Sequence, residues 1–163
     1  MANTPRRSAI LDQIVTELKN IDGAATTQSR IRNPYTFKTN VYNNVHRGFK
    51  FLDQINDFPS ICVFGGQETR THIGGGIKFG TFTVEVRGYV WSEDNSLELS
   101  DNIIDDIELV LESIHRLAIA DDDNLCILDI RILSISTDDG LMTPWGVADV
   151  TAEVSYQLDE TIV

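Results

Sequence analysis

Basic side chains are in short supply: 13 Lys and Arg stand against 25 Asp and Glu, a formal net charge of −12 over 163 residues. Affinity for a duplex comes largely from cations that displace counterions from phosphates, so generic nucleic-acid binding and binding to anionic membranes are both disfavoured. Cysteine is rarer still, with only Cys62 and Cys126. Each lies among Ile, Val and Leu, in SICVF and LCILDI, the setting of a small buried hydrophobe. A chain of this length needs no covalent staple, so no disulfide is expected, and folding in a reducing, cytosolic compartment is. Long apolar runs are absent, none approaching the roughly 18 residues of a membrane span. Asp12 and Gln13 interrupt the apolar stretch of MANTPRRSAILDQIV that a signal peptide would keep whole.

What is present is the composition of a globular domain, 42% hydrophobic and 23% charged, and the length argues for a single domain over residues 1–163. The charge is unevenly spread. Residues 1–50 carry net +5 and residues 51–163 net −17, a polarity that hints at surfaces with different partners.

Thr4 as cap, Pro5 at the first turn, and Ile10, Leu11, Ile14, Leu18 and Ile21 at helical spacing predict an amphipathic helix that Gly23 stops. Residues 24–34 read as a loop. Tyr35, Phe37, Thr39 and Val41 alternate with polar residues and predict a half-buried strand. Phe49, Phe51, Leu52 and Ile55 suggest a short helical turn, and Pro59 introduces a compact strand, SICVF. Residues 65–80 hold six of the eleven glycines and predict an exposed strand edge and a mobile hairpin or arm with little packing. Phe82, Val84, Val86 and Val90 then face one way, and Thr81, Thr83, Glu85, Arg87 and Tyr89 the other. A second helix is expected over 96–118, with Ile103, Ile104, Ile107, Val110, Leu111, Ile114 and Leu117 on one face and an acidic stripe of Glu98, Asp101, Asp105, Glu108 and Glu112 opposite. A solvated turn at residues 121–123 leads to strands at 126–137 and 146–158, with a bulge where residues 133–135 break phase.

Strands polar on one face argue against a doubly wound parallel sheet. The expectation is an α+β fold: a mostly antiparallel sheet, two main helices packed on one face, a polar face left available, and a long Gly-rich hairpin.

The sequence offers no catalytic constellation. His46, His72 and His115 are scattered, without ligands at metal spacing. GGGIKFG lacks the GK[ST] of a phosphate loop and precedes a strand instead of opening a helix. Residues 121–123 lack the ligand spacing of an EF-hand. Asp105 and Asp106 project about 100° apart on a helix and cannot serve one substrate as an acid–base pair. No metal site, cofactor or enzymatic activity is expected. Interaction chemistry remains: Arg70, His72, Ile73, Lys78 and Phe79, with Gly74, Gly75 and Gly76 between them, form a candidate subunit or tube interface. Exposed strand edges are candidate docking rails for a second copy.

The segments SAILDQIVTELKNIDG, VHRGFKFLDQINDFPSICVFGGQE, FGTFTVEVRGYVW, NSLELSDNIIDDIELVLESIHRL, LDIRILSIST and WGVADVTAEVSYQL, in this order, resemble the tail terminator proteins of long-tailed, siphovirus-like bacteriophages. The resemblance spans nearly the whole chain and rests on order, length and loose motif. It implies a structural virion protein: a homo-hexameric ring capping the head-proximal end of the tail tube. Such a ring stops polymerisation and presents the surface that joins the head. It implies three partners (further copies of itself, the tail tube protein and a head-completion or connector protein), a place in the neck region of the virion, and assembly in the host cytoplasm. The sheet would face the channel, lined by Thr83, Glu85, Arg87, Asp129, Arg131, Asp149, Thr151 and Glu153, net −2 per subunit, so that DNA passes without specific binding. Two alternatives of other kinds stand beside it: an acidic DNA mimic that inhibits a nucleic-acid-binding protein, and another neck or tail-tube subunit.

Overall fold

A computed structural model describes residues 6–26, 31, 33–114, 118–119 and 122–159. Helix α1 (Arg6–Leu18) is followed by strand β1 (Val45–Arg47), a 3-10 turn (Leu52–Gln54), β2 (Ser60–His72), β3 (Ile77–Trp91), helix α2 (Ser96–Ser113), β4 (Ala118–Ile119), β5 (Asp122–Thr137) and β6 (Trp145–Asp159). The strands make one six-stranded sheet in the order β1-β2-β3-β6-β5-β4. It is mixed: β1 runs parallel to β2 and the remaining neighbours are antiparallel. With two helices beside one sheet, the architecture is α+β.

The centre is the pairing of β3 with β6, which keeps one register from Ile77↔Asp159 to Trp91↔Trp145. Because side chains alternate along a strand, this register stacks Phe82, Val84, Val86 and Val90 beside Ala148, Val150, Ala152, Val154 and Tyr156 on one face, all buried. Both helices cover that face. Ile10, Leu11, Ile14 and Leu18 of α1 and Ile103, Ile107, Val110 and Leu111 of α2 join one apolar cluster with those strand residues. Removing such side chains from water contributes about 1.5–3 kcal/mol each. Small residues set how closely α2 approaches: a Cβ at Gly88 would press on Ile103, and one at Gly146 on Ser100 and Val90.

Residues 35–41 keep the expected alternation of burial but not the expected partner. Phe37, Thr39 and Val41 are buried, yet the segment forms no strand of the sheet. It makes isolated bridges, Asp22↔Asn40 and Ala25↔Thr36, and lies against α2. The reason is Asp106, fully buried within the apolar phase of α2. Its Oδ1 accepts from the Tyr35 hydroxyl at 2.8 Å and the Lys38 amide at 3.0 Å, and its Oδ2 from the Thr39 amide at 2.8 Å and the Thr39 hydroxyl at 2.7 Å. A buried carboxylate with four donors is satisfied, and it takes the polar groups that a strand neighbour would otherwise have taken. Burial, then the bond to Asp106, pushes the Tyr35 phenol well above its usual range.

Further differences are local. α2 ends at Ser113, and residues 115–117 of the expected helix, His115 and Leu117 among them, lie outside the described residues, as do Thr4 and Pro5. The anticipated turn at 121–123 is instead partly strand, since β5 begins at Asp122 and β4 pairs back onto it. The bulge expected at 133–135 is present between Ile132 and Ser134, and a second lies between Ile127 and Asp129. Cys62 is free and buried; the side chain of Cys126 lies outside the described ones. Among the described residues no helix is long and apolar enough to cross a membrane.

Asp106→Ala is expected to lower unfolding stability by about 3 kcal/mol, because it strands several buried donors. Asp105→Ala, which removes only an exposed partner of Lys38, should leave the urea midpoint unchanged. Equal midpoints for the two variants would remove Asp106 from its structural role.

Candidate assembly surfaces

The face of the sheet away from the helices gathers the eight polar strand residues. Register places Thr83 opposite Glu153, Glu85 opposite Thr151 and Arg87 opposite Asp149 across β3 and β6. Arg131 stands opposite Glu153, and Asp129 opposite Ser155, across β5 and β6. Both arginines of the set are matched by a carboxylate within the subunit. Arg87 grips Asp149 with two bonds, Nε to Oδ1 at 2.5 Å and Nη2 to Oδ2 at 3.0 Å. Arg131 pairs with Glu153, and the Thr151 hydroxyl donates to Glu85 at 2.9 Å. The bond to Asp149 strengthens the hold of Arg87 on its proton.

This face is not wholly open. Leu52, Ile55 and Phe58 from the segment after β1 cover Cys62 and Tyr89 at one end, and the Tyr89 hydroxyl ties that segment down through the Lys50 carbonyl at 2.7 Å. Phe49 extends the cover over Arg87, whose guanidinium lies 5.1 Å from the ring centroid. The period-2 signal in β3 showed Tyr89 facing away from the core, but nothing in the sequence announced a second small apolar cluster there.

The Gly-rich region departs from the expected loose arm. β2 and β3 pair from Ser60↔Tyr89 out to His72↔Lys78, and β3 is held by β6 on its other side along its whole length. Three of the six glycines are sites of close approach: a Cβ at Gly65 would strike Arg7, one at Gly66 the Thr83 hydroxyl, and one at Gly80 the ring of Tyr156. Only Gly74, Gly75 and Gly76, all at positive φ, serve the turn by conformational freedom. Glu68 anchors the region. It accepts from the Tyr156 hydroxyl at 2.5 Å and from Arg70 Nε at 2.7 Å, and Arg7 Nη1 lies 3.8 Å away.

Of the candidate interface residues, Arg70, His72 and Lys78 share the helix-side face by register, whereas Phe79, opposite Thr71, belongs to the other. Arg70 is already engaged by Glu68. His72 and Ile73 are exposed, Ile73 to 59%, and Ile77 adds a second apolar group to the tip. His46, on β1, is half-buried. Among the described residues no group of three or more His, Cys, Asp or Glu could hold a metal ion.

Residues 4–163 match the family model of bacteriophage tail tube terminator proteins. The chain belongs to that family. It is also 25% identical over 158 residues to the tail tube terminator protein p142 of Escherichia phage T5, a similarity covering 93% of each chain. A terminator subunit is a structural component of the phage tail, and the polar sheet face and the tip of the β2–β3 hairpin are its candidate surfaces. Two residues that sequence reasoning passed over position them: Glu68 for the tip and Asp106 for the helix layer. Asp106 carried a legible signal, an acid in phase with Ile103, Ile107 and Val110.

Burial alone would raise the Glu68 carboxyl, but the bonds from Tyr156 and Arg70 outweigh it and hold the group below its usual value. A depressed carboxylate stabilises the fold above its unfolded-state pKa, and that contribution is lost as pH falls through the folded value. Glu68→Gln should therefore be less stable than wild type at pH 7, and the gap should close on acidification below pH 4. A gap independent of pH in thermal melts would show that the charge on Glu68 contributes nothing.

Proposed function

We propose that this chain closes the head-proximal end of the phage tail tube as a ring of six copies, stops further tube polymerisation and offers the surface on which a head-completion or connector protein docks. The observation that carries this reading is membership of the terminator family over nearly the whole chain. The two-sided sheet supports it: one face is buried under helices, and the other gathers eight polar strand residues whose two arginines are each paired with a carboxylate. In this reading the polar face lines the channel of the neck. The eight residues from Thr83 to Glu153 then meet DNA in transit, and the ring is assembled in the host cytoplasm before joining the head.

The tip at residues 73–77 is the proposed contact with the tube. It combines a turn held rigid at its base by Glu68 and Tyr156 with two exposed isoleucines, Ile73 and Ile77. A pre-organised apolar projection of this kind binds at low entropic cost.

Negative-stain microscopy of purified tail-tube protein tests both statements. With wild-type chain present, tubes are expected to carry a ring at one end and to stop lengthening. Ile73→Asp with Ile77→Asp should leave the circular-dichroism spectrum intact and the tubes uncapped. Free tube growth in the presence of wild type would sink the terminator reading, and normal capping by the double variant would remove the tip from the tube contact.

A further inference from the structure

The outer half of β2 is held by a strand on one side only. β1 pairs with residues 61–63 and no further, so residues 64–72 have β3 on one side and no strand on the other among the described residues. The ladder to β3 is itself interrupted there. Gly65 stands opposite Val84 and Glu68 opposite Phe82, so β2 uses one residue more than β3 between the two pairs. A bulge of this kind bends its strand and leaves backbone groups outside the ladder. The helix-side face of β2 changes at the same point, from Ile61 and Val63, both fully buried, to Glu68, Arg70 and His72. Apolar packing therefore does not fix the direction of β2 beyond its bulge.

A side chain from α1 reaches this place. Arg7 falls in phase with Leu11, Ile14 and Leu18, the residues that α1 buries against the sheet. Its Nη2 donates to the Gly66 carbonyl within the bulge, its Nη1 lies 3.8 Å from Glu68 Oε2, and its guanidinium lies over the Phe82 ring, 5.2 Å from the centroid. Gly65 provides the seat, since a Cβ there would come within 2.5 Å of Arg7 Nη2. The two oxygens of Glu68 are divided: Oε1 accepts from the Tyr156 hydroxyl and from Arg70, and Oε2 faces Arg7. Past its bulge, β2 is thus tied to β6 through Tyr156 and to α1 through Arg7. A planar guanidinium can meet a carbonyl, a carboxylate and a ring face together, which a lysine ammonium cannot do with the same geometry.

We propose that Arg7 is a positioning residue for the hairpin: it transmits the seating of α1 to the outer half of β2, so that the tip at residues 73–77 is aimed only while the first helix is docked. Partly exposed ion pairs add little to global stability, so loss of this clamp acts locally, as a sub-global opening of the segment it holds. The step from an aimed tip to capping rests on the tube contact proposed above; the aiming itself does not.

Amide hydrogen exchange of the full chain, read by mass spectrometry on peptides, tests the clamp. In Arg7→Ala, residues 67–73 are expected to exchange at least tenfold faster than in wild type, while residues 84–90 of β3 and 148–154 of β6 keep their wild-type rates. Arg7→Lys, which keeps the charge without the fork, should recover only part of the lost protection. On tail-tube ends, Arg7→Ala is expected to cap at least fivefold fewer tubes. Wild-type exchange at residues 67–73 in Arg7→Ala, or an equal acceleration in all three segments, would overturn the positioning role, and full protection in Arg7→Lys would overturn the need for a guanidinium. Normal capping by an Arg7→Ala chain whose hairpin exchanges fast would cut the link to the tube. Failure of wild type itself to cap would instead strike the terminator reading and leave the exchange result standing.

Discussion

The unbroken pairing of β3 with β6 is the constraint on which the other parts depend. Fifteen consecutive positions on each strand stay in register, and a slip of one residue would turn the core side chains of a strand outward and its mostly polar face inward. The register is protected on both faces. On one, Gly88, Ala148 and Gly146 give α2 a shallow seat against the sheet. On the other, Arg87–Asp149 and Glu85–Thr151 pair only when the strands are aligned this way. Cross-strand pairs of this kind contribute about 0.2–1 kcal/mol each, little beside the core, but they discriminate between registers that the apolar face alone tolerates poorly.

The same ladder explains why the Gly-rich region is structural. Tyr156 on β6 is fully buried and reaches across β3 only because Gly80 leaves room for its ring; its hydroxyl then fixes Glu68 on β2. Three strands are thus locked by one side chain near the tip. The freedom that glycine brings is confined to residues 74–76, and the projecting isoleucines sit on a base that does not have to be ordered on contact.

Long, regular elements were legible from the residues because their periodicity reports burial directly: β3, β6 and α2 follow their patterns, and the phase break in β5 marks a true bulge. Burial does not report the partner. Tyr35, Phe37, Thr39 and Val41 alternate as a strand of the sheet would, yet the surface they bury against is a helix, and the deciding group, Asp106, lies about 70 residues away in sequence. β1 has three residues and no pattern to read. Glycine was ambiguous for a similar reason. A flexible turn and a close approach call for the same residue, and only the neighbour of Gly80 tells them apart. For the candidate surfaces, alternation sufficed to gather the eight polar strand residues on one face, whereas the cover of Leu52, Ile55 and Phe58 depends on a loop that carries no period.

If the polar face lines the channel as proposed, its charge would bear on DNA through pairing more than through its net value. A lumen that carried unpaired arginines would bind phosphate wherever the backbone passed, whatever the sum of the charges nearby, because each contact releases counterions locally. Here both arginines of the face are engaged by carboxylates on the neighbouring strand, Arg87 by Asp149 and Arg131 by Glu153. To take up a phosphate, either would have to give up a partner held at fixed distance by the β6 register, and that partner would then repel the phosphate. In the proposed channel the useful property would be that both arginines of this face already have a carboxylate partner on the neighbouring strand. The register of β3, β6 and β5 supplies that property along the whole face.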